Sequence, residues 1–294
     1  MALHDLLLDD VTNVASLPQY ADRKTTKTVE GKNETGYFVS DFLYSELQDL
    51  RLNQRLPERT TLFNGLFQIP SFTSIMSLAQ NQYASSGRLV GIYPELKHPS
   101  FFKDLGFPME DMLLDALVEG GYEVYGSEVP NNLQQVVPVV VQCFDAASLQ
   151  YLRPKTTLPL LLLLNTQPAS FWSSDNMAAI ATYADGVGPD KSYFASVSYN
   201  EAVTAITTTH TAGLRLHPYT FRADQDINTV FQNDFSKELM FYYCCLGMDA
   251  LFSEFPDRSR ESLDFMSNYT ALVSQYNIPV PEGQPVCNIQ CDDY

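Results

Sequence analysis

Positive charge is scarce in this chain. Its 18 Lys and Arg stand against 35 Asp and Glu, giving a formal net charge of −17 at pH 7 over 294 residues. A surface of that sign has little with which to neutralise a phosphate backbone, which removes nucleic acid from the expected partners. It also argues against an anionic membrane surface. Long apolar runs are missing too. The longest, LPLLLLLN at Leu158–Asn165, falls far short of the ~20 residues that cross a bilayer, and it reads as a buried strand. The first residues show neither the basic n-region nor the small-residue cleavage site of a secretory signal. No G-x-G-x-x-G occurs, the turn that an open dinucleotide-binding sheet favours after its first strand.

Cysteine is sparse, at five residues. Cys143 lies in a strand-like run and reads as core. Cys244 and Cys245 are adjacent in a helical stretch, where neighbours do not share a face. Cys287 and Cys291 flank a polar tail, and a bond between them would need an oxidising compartment. Two sequons, Asn33-Glu34-Thr35 and Asn268-Tyr269-Thr270, lean the same way, toward secretion or an organelle lumen, each weakly. With no signal in the chain, the compartment stays open.

What is present is a rhythm. Strand-like runs stand at Leu89–Leu96, Val136–Phe144, Leu158–Asn165, Asp185–Gly188, Leu214–Phe221 and Asp249–Phe255. Several are apolar without alternation, as expected of strands covered on both faces. Helical spacing lies between them. Phe72, Ile75, Met76 and Ala79 share one face, and Met109, Met112, Leu113, Ala116 and Leu117 share another before Gly120-Gly121. Glu201–Thr211 ends near Gly213, and Ser236–Leu246 ends at Gly247. Alternating β and α predicts a parallel sheet, open or closed into a barrel. The stretch 19–57 breaks the rhythm with a polar, basic portion and a predicted helix over 41–52. It reads as a long loop insertion whose lysines and arginines form a solvated face.

In a closed α/β barrel, chemistry sits at the C-terminal ends of the strands. In GIYPELKHP, Glu95 and Lys97 share a face by period-two alternation. The carboxylate suits a hard divalent cation, and the ammonium suits a phosphate oxygen; an ion pair is the plainer alternative. His98 points to the other side and reads as structural. In LRLHPYTFR, Tyr219 can shape a small-molecule pocket, His217 reads as a buried, satisfied imidazole, and Arg222 as a loop anchor. Asp145 and Asp257 read as helix caps, and Glu254 is a weaker site candidate. His4, beside Asp5, has the chemistry of a general acid or base.

Together LHDLLLDDVTNVA, GIYPELKHP, VVVQCFDAASLQYL, YADGVGPDK, GLRLHPYTFR and LGMDALFSEFPD resemble, in order and spacing, the glycerophosphodiester phosphodiesterases, most closely the branch of the bacterial periplasmic enzyme. The resemblance covers about residues 3 to 262. It implies a TIM (β/α)8 barrel over 1–262, with a small insertion after the second strand (19–57 here), then a C-terminal helix and polar tail over 263–294. It implies hydrolysis of glycerophosphodiesters to glycerol 3-phosphate and an alcohol, in lipid and glycerol metabolism, with a divalent cation, Ca2+ or Mg2+. Carried over by motif, His4 serves acid–base catalysis, Glu95 binds metal and Lys97 faces the phosphate.

The chain departs from that pattern. The family's His-Arg-Gly strand, Pro-Glu loop and Glu-x-Asp strand precede its His-Asp motif, whereas only three residues precede His4. The expectation is a barrel short of its N-terminal part, with about six strands and the end of the second, and a start that lies within a longer reading frame. The alternative expectation is a catalytically dead barrel acting as a binding or regulatory protein. The partner expected is a small glycerophosphodiester. No oligomeric state follows from the sequence.

Overall fold

The computed structural model describes residues 1–125 and 138–275. Cys287, Cys291 and the start of the predicted strand at 136–137 lie outside the described residues. The chain divides into two compact units, one of residues 1–141 and 154–158, the other of residues 142–153 and the chain from Pro159 onward.

In the first unit, the stretch 19–57 is folded rather than loose. Strands β1 (Thr25–Val29) and β2 (Lys32–Gly36) pair antiparallel, Val29 opposite Lys32. Glu30 and Gly31 between them both have positive φ, 49° and 79°, the two-residue turn whose twist matches the strands it joins. Three of the basic residues here are tied to acids of the same unit. Arg23 pairs with Glu46 at 2.9 Å, Lys24 with Asp9 at 3.3 Å, and Lys27 with Asp41. Helix α1 runs only over Tyr44–Asp49, shorter than predicted. Val39–Asp41 forms a 3-10 turn, and Phe42 and Leu43 are extended. These pieces close over a core of Leu8, Val14, Tyr20, Tyr37, Phe42, Leu47, Leu50 and Ile69.

Helix α2 (Phe72–Ser86) starts on Ser71, whose hydroxyl accepts from Ser74 N, and stops at Gly87 with φ 67°. Strand β3 is Glu95–Leu96, preceded by a parallel bridge between Ile92 and Val139. The predicted run 89–96 is thus strand only at its end. Helices α3 (Pro99–Asp104) and α4 (Met109–Glu119) follow.

The unit boundary falls within β4 (Val141–Cys143). In the second unit Asp145 caps α5 (Ala146–Leu152), accepting from Ala147 N at 2.9 Å. Strands β5 (Leu160–Leu164), β6 (Gly186–Pro189) and β7 (Arg215–Leu216) pair in parallel. Every residue of β5 and β6 is buried, the pattern of strands covered on both faces. Gly186 and Gly188 have no room for a side chain. A Cβ at Gly186 would stand 2.8 Å from Arg215 O, and one at Gly188 2.8 Å from both Leu161 Cδ2 and Leu163 Cδ2.

Helices α6 (Ser174–Ile180), α7 (Ser192–Ser196) and α8 (Tyr199–Thr211) separate these strands. A Ser198–Glu201 capping box starts α8. Helix α9 (Phe235–Met240), capped by Asp234, runs on into a π-turn over Phe241–Cys245, and α10 spans Pro256–Gln275. Asp257 sits inside the first turn of α10 rather than capping it, and the sequon at 268–270 falls within that helix. The predicted last strand, 249–255, makes only one bridge, Phe221 to Ser253. It still runs beside 216–221, with Asp249 N donating to Leu216 O and Phe252 N to Pro218 O. Pro218 has no N–H to return, so the ladder is broken.

Trp172, Tyr193, Phe194, Phe221 and Tyr242 interlock in the core of this unit, Phe221 and Tyr242 edge-to-face at 4.8 Å. Beside them lies a buried ion pair. Lys191 Nζ reaches Glu238 Oε1 at 3.0 Å and Oε2 at 3.2 Å, donates to Asp226 O at 2.6 Å, and sits 5.1 Å from the Phe221 ring centre. Cys143 is buried in the core, as read, while Cys244 and Cys245 are both disulfide-bonded.

Candidate active site

Three of the residues singled out in the sequence, His4, Glu95 and Lys97, meet in the first unit. Ile92 and Leu96 of the β3 segment are buried, which turns Tyr93, Glu95 and Lys97 to the opposite face. Lys97 Nζ lies 2.8 Å from His4 Nε2 and 4.0 Å from Glu95 Oε1. His4 Nδ1 lies 2.8 Å from Asp5 Oδ1. Asp5 Oδ2 lies 3.7 Å from Arg55 Nε.

These contacts fix the histidine tautomer. A lysine ammonium only donates, so His4 Nε2 accepts from it. The ring proton is then on Nδ1, where it donates to Asp5. His4 therefore presents a basic Nε2 on the side of Lys97 and Glu95, held by a carboxylate behind it, the arrangement of an oriented general base. Burial pushes the Tyr93 phenol well above its usual range, so it stays protonated on the same face.

Glu95 Oε1 is buried and has no hydrogen-bond partner, and Asp5 Oδ2 is in the same condition. An orphaned carboxylate oxygen is donor chemistry for a hard cation. Yet among the described residues no three His, Cys, Asp or Glu side chains converge to hold a metal ion. One carboxylate beside an ammonium does not make a divalent-cation site.

His98 turns away from Lys97, as its neighbour position requires. Its Nδ1 lies 2.7 Å from Glu30 Oε1 at the hairpin tip, and it opens α3 with φ 51°. A separate hollow of about 320 Å³ lies on that side, lined by Asp5, Asp10, Glu34, Arg55 and His98 with Leu6, Leu7 and Val29. It shares Asp5 and Arg55 with the site around His4 and Lys97.

Tyr219 belongs to the second unit. Its hydroxyl donates to Leu164 O at 3.0 Å, and its ring meets Phe144 edge-to-face at 5.8 Å. Both follow the C-terminal ends of strands, Phe144 after β4 and Tyr219 after β7. Burial holds the His217 imidazole below its usual range, with Asp249 opposing that shift and Arg215 adding to it. Arg222 anchors its loop, pairing with Glu254 at 2.8 Å and Asp226 at 3.1 Å, which also occupies Glu254. Sequence reasoning did not find Arg55, Tyr93 or Phe144. Tyr93 was within reach, since the alternation that pairs Glu95 with Lys97 extends back to it. Arg55 carries no such signal, because its partner is 50 residues away.

A family model for glycerophosphoryl diester phosphodiesterases matches residues 1–258. A glycerophosphodiester phosphodiesterase of Arabidopsis thaliana is 34% identical, over 96% of this chain and 76% of that protein. One of Haemophilus influenzae is 26% identical, over 90% of this chain and 78% of that protein. Among solved structures, an Agrobacterium tumefaciens protein assigned to the glycerophosphoryl diester phosphodiesterases superposes with a TM-score of 0.50 at 14% identity. It covers 94% of this chain and 80% of its own. At that identity the likeness concerns the fold, and it agrees with the α/β barrel class that the family resemblance implies.

Proposed function

The chain belongs to the glycerophosphoryl diester phosphodiesterase family, and from that premise we propose that it hydrolyses small glycerophosphodiesters with His4 as the acid–base group and Lys97 as the phosphate-facing cation. The observation that supports this most directly is the 2.8 Å contact between His4 Nε2 and Lys97 Nζ, which brings two residues 93 positions apart to one point. When an anionic phosphodiester arrives, the Lys97 ammonium turns to a non-bridging phosphate oxygen and balances the charge that builds there. That move frees the Nε2 lone pair, which takes the proton of the attacking oxygen, the neighbouring hydroxyl of the glycerol moiety in the family's chemistry. Asp5 holds Nδ1–H throughout and stabilises the imidazolium that forms. The imidazolium then returns its proton to the departing alkoxide, which leaves as the alcohol and a cyclic glycerol phosphate behind. In a second half the neutral imidazole takes a proton from water, the water oxygen attacks phosphorus, and the proton goes to the ring oxygen that is released, giving glycerol 3-phosphate.

The divalent cation that the family resemblance implies, Ca2+ or Mg2+, would find in Glu95 one hard oxygen ligand, which beside Lys97 is not enough to hold it. Lipid or glycerol metabolism is the setting these substrates imply. Purified chain is incubated with glycerophosphocholine, and glycerol 3-phosphate is read with a coupled dehydrogenase. The expected result is turnover that falls by two or more orders of magnitude in His4→Ala, the usual range for a general acid–base group. Equal turnover in that variant would refute the assignment. A second reading, a barrel that binds the diester without cleaving it, is favoured by the single carboxylate at the metal position. It predicts saturable binding that Lys97→Ala abolishes, with no product formed.

A further inference from the structure

Residues 62–67, LFNGLF, form an apolar knuckle on the first unit. Leu62 is 75% exposed, Phe63 54%, Leu66 63% and Phe67 57%, four large apolar side chains within six residues. The knuckle is not a loose end. Gly65 N donates to Leu52 O at 2.9 Å, and Leu52 N donates to Phe67 O at 2.7 Å. Asn64 Oδ1 accepts from Gln54 N at 2.8 Å, and Gln68 Nε2 donates to Gln48 O at 2.7 Å. The tip turns at Gly65, φ 77°, where an added Cβ would meet nothing within 4 Å. The backbone is pinned at its base while the side chains stand in water, and Phe63 and Phe67 touch only lightly, at 6.3 Å between ring centres. A patch of this kind marks an interaction surface.

We propose that this knuckle inserts into the interface of a zwitterionic phospholipid bilayer. Two observations select that occupant. The four side chains expose roughly 500 Å², taking on the order of 200 Å² for each when fully exposed. A stable homodimer needs about 800 Å² from each partner, whereas interfacial insertion scales with whatever apolar area is buried and asks for no shape match. The charge around the knuckle also differs from the rest of the molecule. Around it Arg51, Arg55 and Arg59 stand with Asp49, Glu58 and Asp5, the last 3.7 Å from Arg55, a balanced patch in a chain of −17. A charge-balanced patch meets no repulsion at a zwitterionic surface, while the acidic bulk of the chain opposes an anionic one. A phosphatidylcholine surface satisfies both.

The test is co-sedimentation of the full chain with phosphatidylcholine vesicles, alongside a variant carrying Leu62→Ser, Phe63→Ser, Leu66→Ser and Phe67→Ser. These side chains are exposed, so an unchanged melting temperature shows that the variant is folded. Wild type is expected to partition into the pellet at least tenfold more than the variant. Leu78→Ser, at an equally exposed leucine on α2, should partition like wild type. In a second readout, Phe63→Trp should shift its emission to the blue on adding vesicles; the one native tryptophan, Trp172, is buried and supplies a constant background. Wild type that stays in the supernatant would overturn the proposal. So would equal partition of the quadruple variant, or a wild-type dimer in light scattering that this variant reduces to monomer.

Discussion

Replacing Asp5 by Asn should cost more than the loss of one charge, because Asn cannot satisfy both of its neighbours. Asp5 faces two partners: its Oδ1 accepts from His4 Nδ1–H at 2.8 Å, and its Oδ2 stands 3.7 Å from Arg55 Nε, an ion-pair contact without a hydrogen bond. An amide has one oxygen and one NH2. With its oxygen on His4, the NH2 faces the Arg55 guanidinium, donor against donor. With its oxygen toward Arg55, the NH2 forces the histidine proton onto Nε2, where it collides with the donor Lys97 at 2.8 Å. A hydrogen bond to a charged group is worth about 1.5–3 kcal/mol. His4 and Asp5 keep 59% and 30% of their side-chain surface exposed, so solvent screening brings the expectation to about 1–2 kcal/mol. That is roughly a five- to thirtyfold fall in kcat for glycerophosphocholine, measured by the coupled release of glycerol 3-phosphate. The diagnostic step is the second substitution. Arg55→Ala in the Asp5→Asn background removes one competing donor and should recover part of the loss, while Arg55→Ala alone should do less harm. An Asp5→Asn enzyme as fast as wild type, or a double variant no better than the single one, would refute the tautomer argument.

Lys97→Ala should raise KM and lower kcat together, and Lys97→Arg should restore KM more than kcat, since the longer planar fork no longer meets His4 Nε2; steady-state kinetics of the two variants decides this. Lys191→Met leaves Glu238, 1% exposed, without its cation, and should cost the second unit about 3–5 kcal/mol at pH 8. Burial already raises the Glu238 carboxyl above its usual range against the pull of Lys191. Losing Lys191 raises it further, so the folded variant takes up a proton as pH falls. The deficit should therefore shrink between pH 8 and pH 5, and a pH-independent loss in chemical denaturation would contradict this. Reducing the disulfides at Cys244 and Cys245 should lower the melting temperature of the oxidised protein, by an amount set by about 2–4 kcal/mol per bond, and calorimetry with and without reductant checks it.

The parts legible in the sequence were those where a period carries physical meaning. The unbroken leucines of β5 mark a strand buried on both faces, and Glu95-x-Lys97 marks one face of a strand end. Asp145 before Ala146 marks a helix start. The hairpin of β1 and β2 was missed because both its faces are solvated, apart from Val29 and Gly36. Hydrophobic alternation has nothing to report there, and only the Glu30-Gly31 turn betrays it. The predicted strand at 249–255 fails as a ladder because one proline, Pro218, withholds a donor from the neighbouring segment. The link from Asp5 to Arg55 is set by tertiary packing, and no local pattern encodes it.

The two glycines of β6 carry a consequence for how such a strand can vary. Where Gly186 and Gly188 lack side chains, Leu161 and Leu163 of β5 occupy the space. At Gly188 that volume is held in common, and a side chain gained there must be matched by smaller residues in place of Leu161 and Leu163. Gly186 is closed by the Arg215 carbonyl as well, which no trimming of β5 moves. Substitutions at Gly188 should therefore be correlated with those on β5, whereas Gly186 should stay glycine whatever β5 carries.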